Sequence, residues 1–147
     1  MAGYFTPETD PRLFRCQCGR AECDAPATLA SALLAMLNEL RARVGRPIVV
    51  TSGNRCAWWN RQQGGEDDGD DRRYTDDDSE HCDPAGATGA DLLIRSGRER
   101  WKLLEANFRR PVLFRRLGIG PDFLHVGTSI IHAGEVTWTY YAKPRAT

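Results

Sequence analysis

The hydrophobic positions of the chain follow a helical repeat in one long segment. Apolar side chains recur there at helical spacing, and Gly45 is placed to end the helix. Ahead of this stripe, Asp24 and Pro26 form a helix-start signal, a capping carboxylate followed by a first-turn proline. The pattern predicts one amphipathic helix whose stripe packs in the core: Leu29, Leu33, Met36, Leu37, Leu40 and Val44.

Short apolar runs, some β-branched and some alternating, predict the strands. Four such runs are present: 47–51, 90–94, 123–128 and 136–141. Between the second and third runs, residues 97–108 predict a second helix with Trp101, Leu104 and Phe108 on one face. Helices precede and separate the strands, and a short connection joins the last two strands. This order predicts a small α+β domain, with a mostly antiparallel sheet and flanking helices.

Length and composition narrow the class of protein. The 147 residues fit one domain, which we divide into an N-terminal arm, residues 1–23, and a main domain, residues 24–147. The formal net charge is zero, which argues against a nucleic-acid or membrane binder. No apolar run is long enough to span a bilayer, and the first residues lack a secretory pattern. We therefore expect a monomer that is cytoplasmic when synthesised.

The charges are unevenly distributed along the chain. Residues 66–78 hold eight acidic and two basic residues, a net charge of −6, so the rest of the chain carries +6. This segment contains almost nothing to bury, and it predicts a solvated loop inserted between two ordered segments. A calcium site is the alternative interpretation, but the spacing of an EF-hand is absent.

Five cysteines are present, an odd number. Without an export signal, this count favours reduced thiols that pack as small hydrophobic side chains. The alternative is a zinc knot formed by Cys16, Cys18 and Cys23. Their C-x-C-x4-C spacing lacks the paired C-x2-C knuckles typical of such sites, so the sequence favours packed thiols.

Two histidines and one carboxylate form a candidate metal site. A glycine-rich stretch separates His81 from Asp91 and lets the backbone turn back, which would bring the two side chains together. His125 lies in the third predicted strand, with Asp122 at its entrance. Two imidazoles and one carboxylate leave a tetrahedral zinc ion one open position for water, and Asp122 is then the natural base.

Several ordered motifs carry a resemblance to a known family. They are Ser52-Gly-Asn-Arg-Cys-Ala-Trp-Trp-Asn60, Gly64-Gly65, Ser79-Glu-His81, Gly89-Ala-Asp91 and Asp122-Phe-Leu-His125. In this order they resemble the zinc D-Ala-D-Ala carboxypeptidases and murein endopeptidases, which share a fold with the hedgehog signalling domain and the lysostaphin-type enzymes. The resemblance covers nearly the whole chain, from about residue 12 onward.

The resemblance implies a role for each matched residue. The implied zinc ligands are His81, Asp91 and His125. Asp122 would be the general base for the zinc-bound water, Arg55 would hold the substrate's carbonyl or carboxylate, and Ser79 would support the substrate site. The implied activity is hydrolysis of peptide bonds in the stem peptides of bacterial peptidoglycan. A phage-type protein of this kind would act on the wall after release from the cell, or within a phage particle.

The chain also departs from the family pattern. The interval from His81 to Asp91 is longer than is usual in the family, and Gly127 stands where many relatives have an aspartate. Phe123 takes the place of a histidine that the lysostaphin-type enzymes carry. These departures keep a second interpretation open, a non-catalytic zinc-binding module that grips wall peptide or a partner protein through the same cleft.

Overall fold

A computed structural model describes residues 3–63, 79–129 and 136–140 of the chain. The predicted acidic loop, residues 66–78, lies outside these described residues. Within them the helices are α1 (Pro11–Phe14), α2 (Ser31–Val44), α3 (Ala57–Gln62) and α4 (Gly97–Phe108). The strands are β1 (Val50–Ser52), β2 (Gly89–Leu93), β3 (Arg116–Ile119), β4 (Phe123–Gly127) and β5 (Val136–Thr139). The α+β class predicted from the sequence is confirmed.

The described strands form one mixed sheet in the order β1-β2-β4-β3-β5. The pairs β1–β2, β2–β4 and β3–β4 are antiparallel, and β5 adds to β3 in parallel. The sheet is therefore mostly antiparallel, as predicted. The alternation pattern predicted neither β3 nor the short helices α1 and α3, because each contains too few residues for a clear hydrophobic period.

Helix α2 ends where the sequence predicts but begins later. Gly45 adopts the left-handed conformation (φ 74°) and its N–H caps the carbonyl of Arg41, so the stop signal is confirmed. The start at Asp24 is wrong, because the helix begins only at Ser31. Ala30 donates its N–H to the carbonyl of Ala87, and this pairing holds the preceding backbone outside the helix.

Helix α4 has the predicted bounds but a different buried face. Trp101 is 69% exposed, whereas Leu103 is only 3% exposed. The buried Asn107 explains this rotation, because its side-chain amide bonds both the N–H and the carbonyl of Phe114 at 2.8 and 2.9 Å. Asn107 must face inward to satisfy these buried backbone groups, and the face that includes Trp101 then turns towards solvent.

The core combines residues of the N-terminal arm with those of α2 and the sheet. Its members include Phe5, Leu13, Phe14, Leu33, Leu37, Leu40, Leu92, Leu124 and Val126. The arm is thus ordered through its own apolar side chains, and it packs beneath β1. None of the described helices is long and apolar enough to cross a membrane.

The corrected face of α4 leads to a stability prediction. Leu103→Ala removes a buried side chain and should lower the free energy of unfolding by about 2–5 kcal/mol. Trp101→Ala, on the same helix, should change it by less than about 0.5 kcal/mol, because the indole is largely solvated. Urea unfolding of both variants measures this difference, and a larger loss for Trp101→Ala would contradict the observed orientation.

Candidate metal centre

One row of cross-strand partners carries most of the candidate site. Asp91 in β2 lies directly opposite His125 in β4, so their side chains share one face of the sheet. Ser52 pairs with Asp91 on one side, and Gly118 pairs with His125 on the other. Gly118 in turn faces Trp138, whose ring centroid lies 5.5 Å from that of His125. A β-carbon on Gly118 would lie 2.7 Å from the indole, so this glycine makes room for Trp138.

His81 reaches the same face from the loop that precedes β2. Its Nδ1 lies 2.7 Å from the carbonyl oxygen of Gly53. A carbonyl only accepts, so Nδ1 carries the proton and Nε2 is left without one. That Nε2 lies 3.4 Å from Oδ1 of Asp91. The loop is held to the site because Arg55 donates its backbone N–H to the carbonyl of His81 at 2.8 Å.

The side chains of His81, Asp91 and His125 therefore converge on one buried point. One ligand atom from each lies within 4.8 Å of the others. Two imidazole nitrogens and one carboxylate oxygen are a donor set that suits zinc, and tetrahedral ligands around zinc lie about 3.4 Å apart. The chemistry of the set and its spacing fit a zinc ion with a further coordination position open.

Arg55 is tied to this cluster through all three of its guanidinium nitrogens. Nη2 donates a hydrogen bond to Oδ2 of Asp91 at 2.9 Å, and Nε donates to the Ser52 hydroxyl at 2.8 Å. Nη1 donates to Oδ1 of Asn60 at 3.1 Å. The side chain is only 12% exposed. A guanidinium has five N–H groups, so two of them have no acceptor among the described residues.

Glu80 is a site residue that the sequence analysis missed. Its carboxylate is buried and lies 3.2 Å from Nε2 of His125. It also accepts hydrogen bonds from Nε of Arg116 at 3.1 Å and from the backbone N–H of Ser129 at 3.0 Å. Metal-bound histidines commonly donate their other ring N–H to a carboxylate, and Glu80 is placed to accept it here. The signal available in the sequence was an acid directly before His81.

Gly127 explains how Glu80 fits beside His125. A β-carbon at position 127 would collide with both carboxylate oxygens of Glu80. An acidic side chain at 127 and the Glu80 carboxylate therefore compete for the same space. The carboxylate that neighbours His125 comes from the loop before β2, and the glycine in β4 makes room for it.

The pKa values of the site follow from burial and close pairing. Burial opposes the ionisation of Glu80, but the hydrogen bond and charge of His125 outweigh it and lower the pKa of this carboxyl to about 2. Burial also disfavours charge on His125, yet hydrogen bonds to Asp91 and Glu80 raise its pKa to about 9. Burial lowers the pKa of His81. Without metal, His125 thus carries the positive charge of the pair and His81 is neutral.

Two other residues singled out from the sequence differ in their relation to the converging groups, since Asp122 lies apart from them and Ser79 contacts their loop. Asp122 is exposed at the entrance of β4, and its carbonyl accepts the N–H of Ile94 at 2.8 Å. Three strand residues span about 10 Å, so this position is distant from His125 along the strand. The hydroxyl of Ser79 accepts the N–H of His81 at 3.3 Å and bonds Asn60 at 3.4 Å. Ser79 thus supports the loop that carries a candidate ligand.

The competition between positions 80 and 127 leads to a double-mutant prediction. Glu80→Ala removes a buried acid that both Arg116 and His125 contact, and should lower the free energy of unfolding by about 3–5 kcal/mol. Gly127→Asp alone should also destabilise, because the new side chain meets Glu80. In the double variant the aspartate enters the vacated space, so the two losses should not add and stability should partly recover.

Urea unfolding of the metal-free variants measures these effects. Glu105→Ala is the matched control, because the side chain of this glutamate forms a surface pair with Arg109, both side chains being 54% exposed. Its loss should cost less than about 1 kcal/mol. Additive losses in the Glu80 and Gly127 double variant would contradict the shared space.

Comparison with known proteins agrees with this arrangement. No curated protein and no solved structure gives a significant match to the chain. A family model described as Peptidase M15 matches residues 5–126, which include most of the N-terminal arm, the strands β1 to β3, most of β4 and all three converging side chains. The chain therefore belongs to the peptidase M15 family.

Proposed function

We propose that this protein is a zinc-dependent peptidase that hydrolyses peptide bonds in the stem peptides of bacterial peptidoglycan. The observation that carries the proposal is the buried convergence of His81, Asp91 and His125 in a chain of the peptidase M15 family. Nε2 of His81, a carboxylate oxygen of Asp91 and Nδ1 of His125 would hold the ion. When bound, zinc supplies a Lewis acid for the scissile carbonyl and activates water for attack.

Arg55 is the residue proposed to hold the substrate. Its ion pair with Asp91 fixes the guanidinium beside the cluster, and the two N–H groups without an acceptor in the described part of the chain are offered to the substrate. A planar guanidinium fork suits a peptide carboxylate or a carbonyl that gains negative charge. This chemistry supports both a D,D-carboxypeptidase, which binds a free C-terminus, and an endopeptidase, which cuts within the stem or cross-bridge.

Proton transfer is assigned to Asp122 on the resemblance alone. The exposed position of Asp122 gives this assignment no geometric support, so it stays a prediction with its own test. Asp122→Asn keeps the size of the side chain and removes its basicity. Turnover should then be lost while zinc is retained. A fully active Asp122→Asn variant would show that another group accepts the proton, and the assignment of the metal ligands would be unaffected.

The proposal is tested with defined pentapeptide muropeptides and mass spectrometry of the products. Zinc-loaded protein should release a fragment whose mass identifies the bond, and His81→Ala should release none. Arg55→Lys keeps the charge but loses the fork, and should lower kcat/KM by about 100-fold. Arg109→Ala is the matched control, because the Arg109 side chain is exposed and pairs with Glu105 at the surface, and the turnover of this variant should equal that of the parent protein.

A specific negative result would favour the non-catalytic alternative. If folded protein holds zinc through His81 but releases no fragment from any muropeptide, the peptidase proposal fails. Retention of the same muropeptides on immobilised protein, lost in Arg55→Ala, would then identify a wall-peptide binding module that uses the same cleft.

A further inference from the structure

A second group of potential metal ligands lies apart from the histidine site. Within the described residues, four cysteine sulfurs come within 4.8 Å of one another. This four-cysteine cluster consists of Cys16, Cys18, Cys23 and Cys56. The sequence spacing pointed only to the first three, and the structure adds Cys56, which follows Arg55 at the start of α3.

The spacing of the sulfurs matches tetrahedral coordination. Zinc–sulfur bonds of 2.3 Å place neighbouring thiolates about 3.8 Å apart on a tetrahedron. The sulfurs of Cys16 and Cys56 lie 3.7 Å apart, although these residues are far apart in sequence. Four soft thiolate ligands are a complete ligand set for a structural zinc ion, since no open position is then left for water.

Backbone N–H groups also point at the sulfurs. The N–H of Arg20 donates to Cys18 at 3.4 Å, and the N–H of Cys56 donates to Cys16 at 3.3 Å. The N–H of Trp59 donates to Cys56 at 3.5 Å, which makes this sulfur the N-cap of α3. Such donors stabilise negative charge on sulfur, as the outer partners of metal ligands do.

A metal ion would add to the polar contacts that hold the segment carrying three of the cysteines. Residues 15–28 form neither helix nor strand, and none of them is buried. An ordered segment without hydrophobic burial must be held by other contacts, and a metal ion can supply that free energy. Packed thiols do not explain the grouping, because Cys16, Cys18 and Cys23 are all partly exposed.

We propose that the four-cysteine cluster binds a structural zinc ion, separate from the ion of the histidine site. This ion would fasten the N-terminal arm to the turn between β1 and α3. Because Cys56 is bonded directly to Arg55 in the chain, the same ion would fix the backbone from which Arg55 reaches Asp91. The four-cysteine cluster is therefore a structural site that supports the candidate active site through the backbone of Arg55.

The test counts metal ions in reduced, zinc-loaded protein by elemental analysis. The parent protein should hold two zinc ions per chain. Cys18→Ser and His81→Ala should each hold one, and the double variant should hold none. Cys82→Ser is the matched control outside the four-cysteine cluster and should still hold two. Because His81→Ala removes only the other ion, failure of this proposal and failure of the proposed peptidase activity can be told apart.

Cobalt substitution supplies a readout that does not depend on any variant folding. Cobalt bound by four thiolates gives an intense sulfur-to-metal charge-transfer band in the near ultraviolet, and the parent protein should show it. His81→Ala should keep this band, and Cys18→Ser should lose most of it. Zinc content that Cys18→Ser leaves unchanged, or a parent protein without this band, would overturn the proposal. So would a chain mass that shows the cysteines paired in disulfides.

Discussion

The buried carboxylate of Asp91 is the group on which the candidate site depends. It accepts from Arg55 through Oδ2, and through Oδ1 it meets His125 at 2.8 Å and His81 at 3.4 Å. A charge removed from water is tolerated only where partners replace its hydration. Arg55 and His125 donate to this carboxylate, and the unprotonated Nε2 of His81 is placed to share a metal ion with it. The strands, the loop before β2 and the turn after β1 must therefore all be in place before this carboxylate can be buried. In this way the fold and the metal site stabilise one another.

The register of the sheet brings the side chains of the candidate site together on one face. Asp91 and His125 are direct cross-strand partners, so their side chains project from the same face. A register irregularity in β1 before Ser52 brings this residue opposite Asp91 in the same row. Two glycines make space along this face, since Gly118 admits Trp138 and Gly127 admits Glu80. Position 127 shows how a departure from a family pattern is compensated in three dimensions. The resemblance implies an acid at this position of β4, and in the structure the carboxylate of Glu80, which precedes His81, occupies the space beside Gly127.

Much of the fold and the core of the site could be predicted from the sequence, for identifiable reasons. Helix α4 and the stop at Gly45 rest on local signals, and both were predicted correctly. The start of α2 and the buried face of α4 depend on distant partners, Ala87 and Phe114, which no local pattern reveals. Glu80 and the fourth cysteine, Cys56, were also missed, because each reaches its cluster only after the chain folds. The family motifs indicated the His81, Asp91 and His125 grouping because they combine such distant positions.

The central claim is that these three side chains together bind zinc. Anomalous diffraction at the zinc absorption edge from crystals of zinc-loaded protein tests it directly. We predict a peak bonded to Nε2 of His81, an oxygen of Asp91 and Nδ1 of His125, with the Arg55 guanidinium still paired to Asp91. A map without density at that point, from protein that hydrolyses wall peptides in a zinc-dependent manner, would contradict the assignment of the metal site.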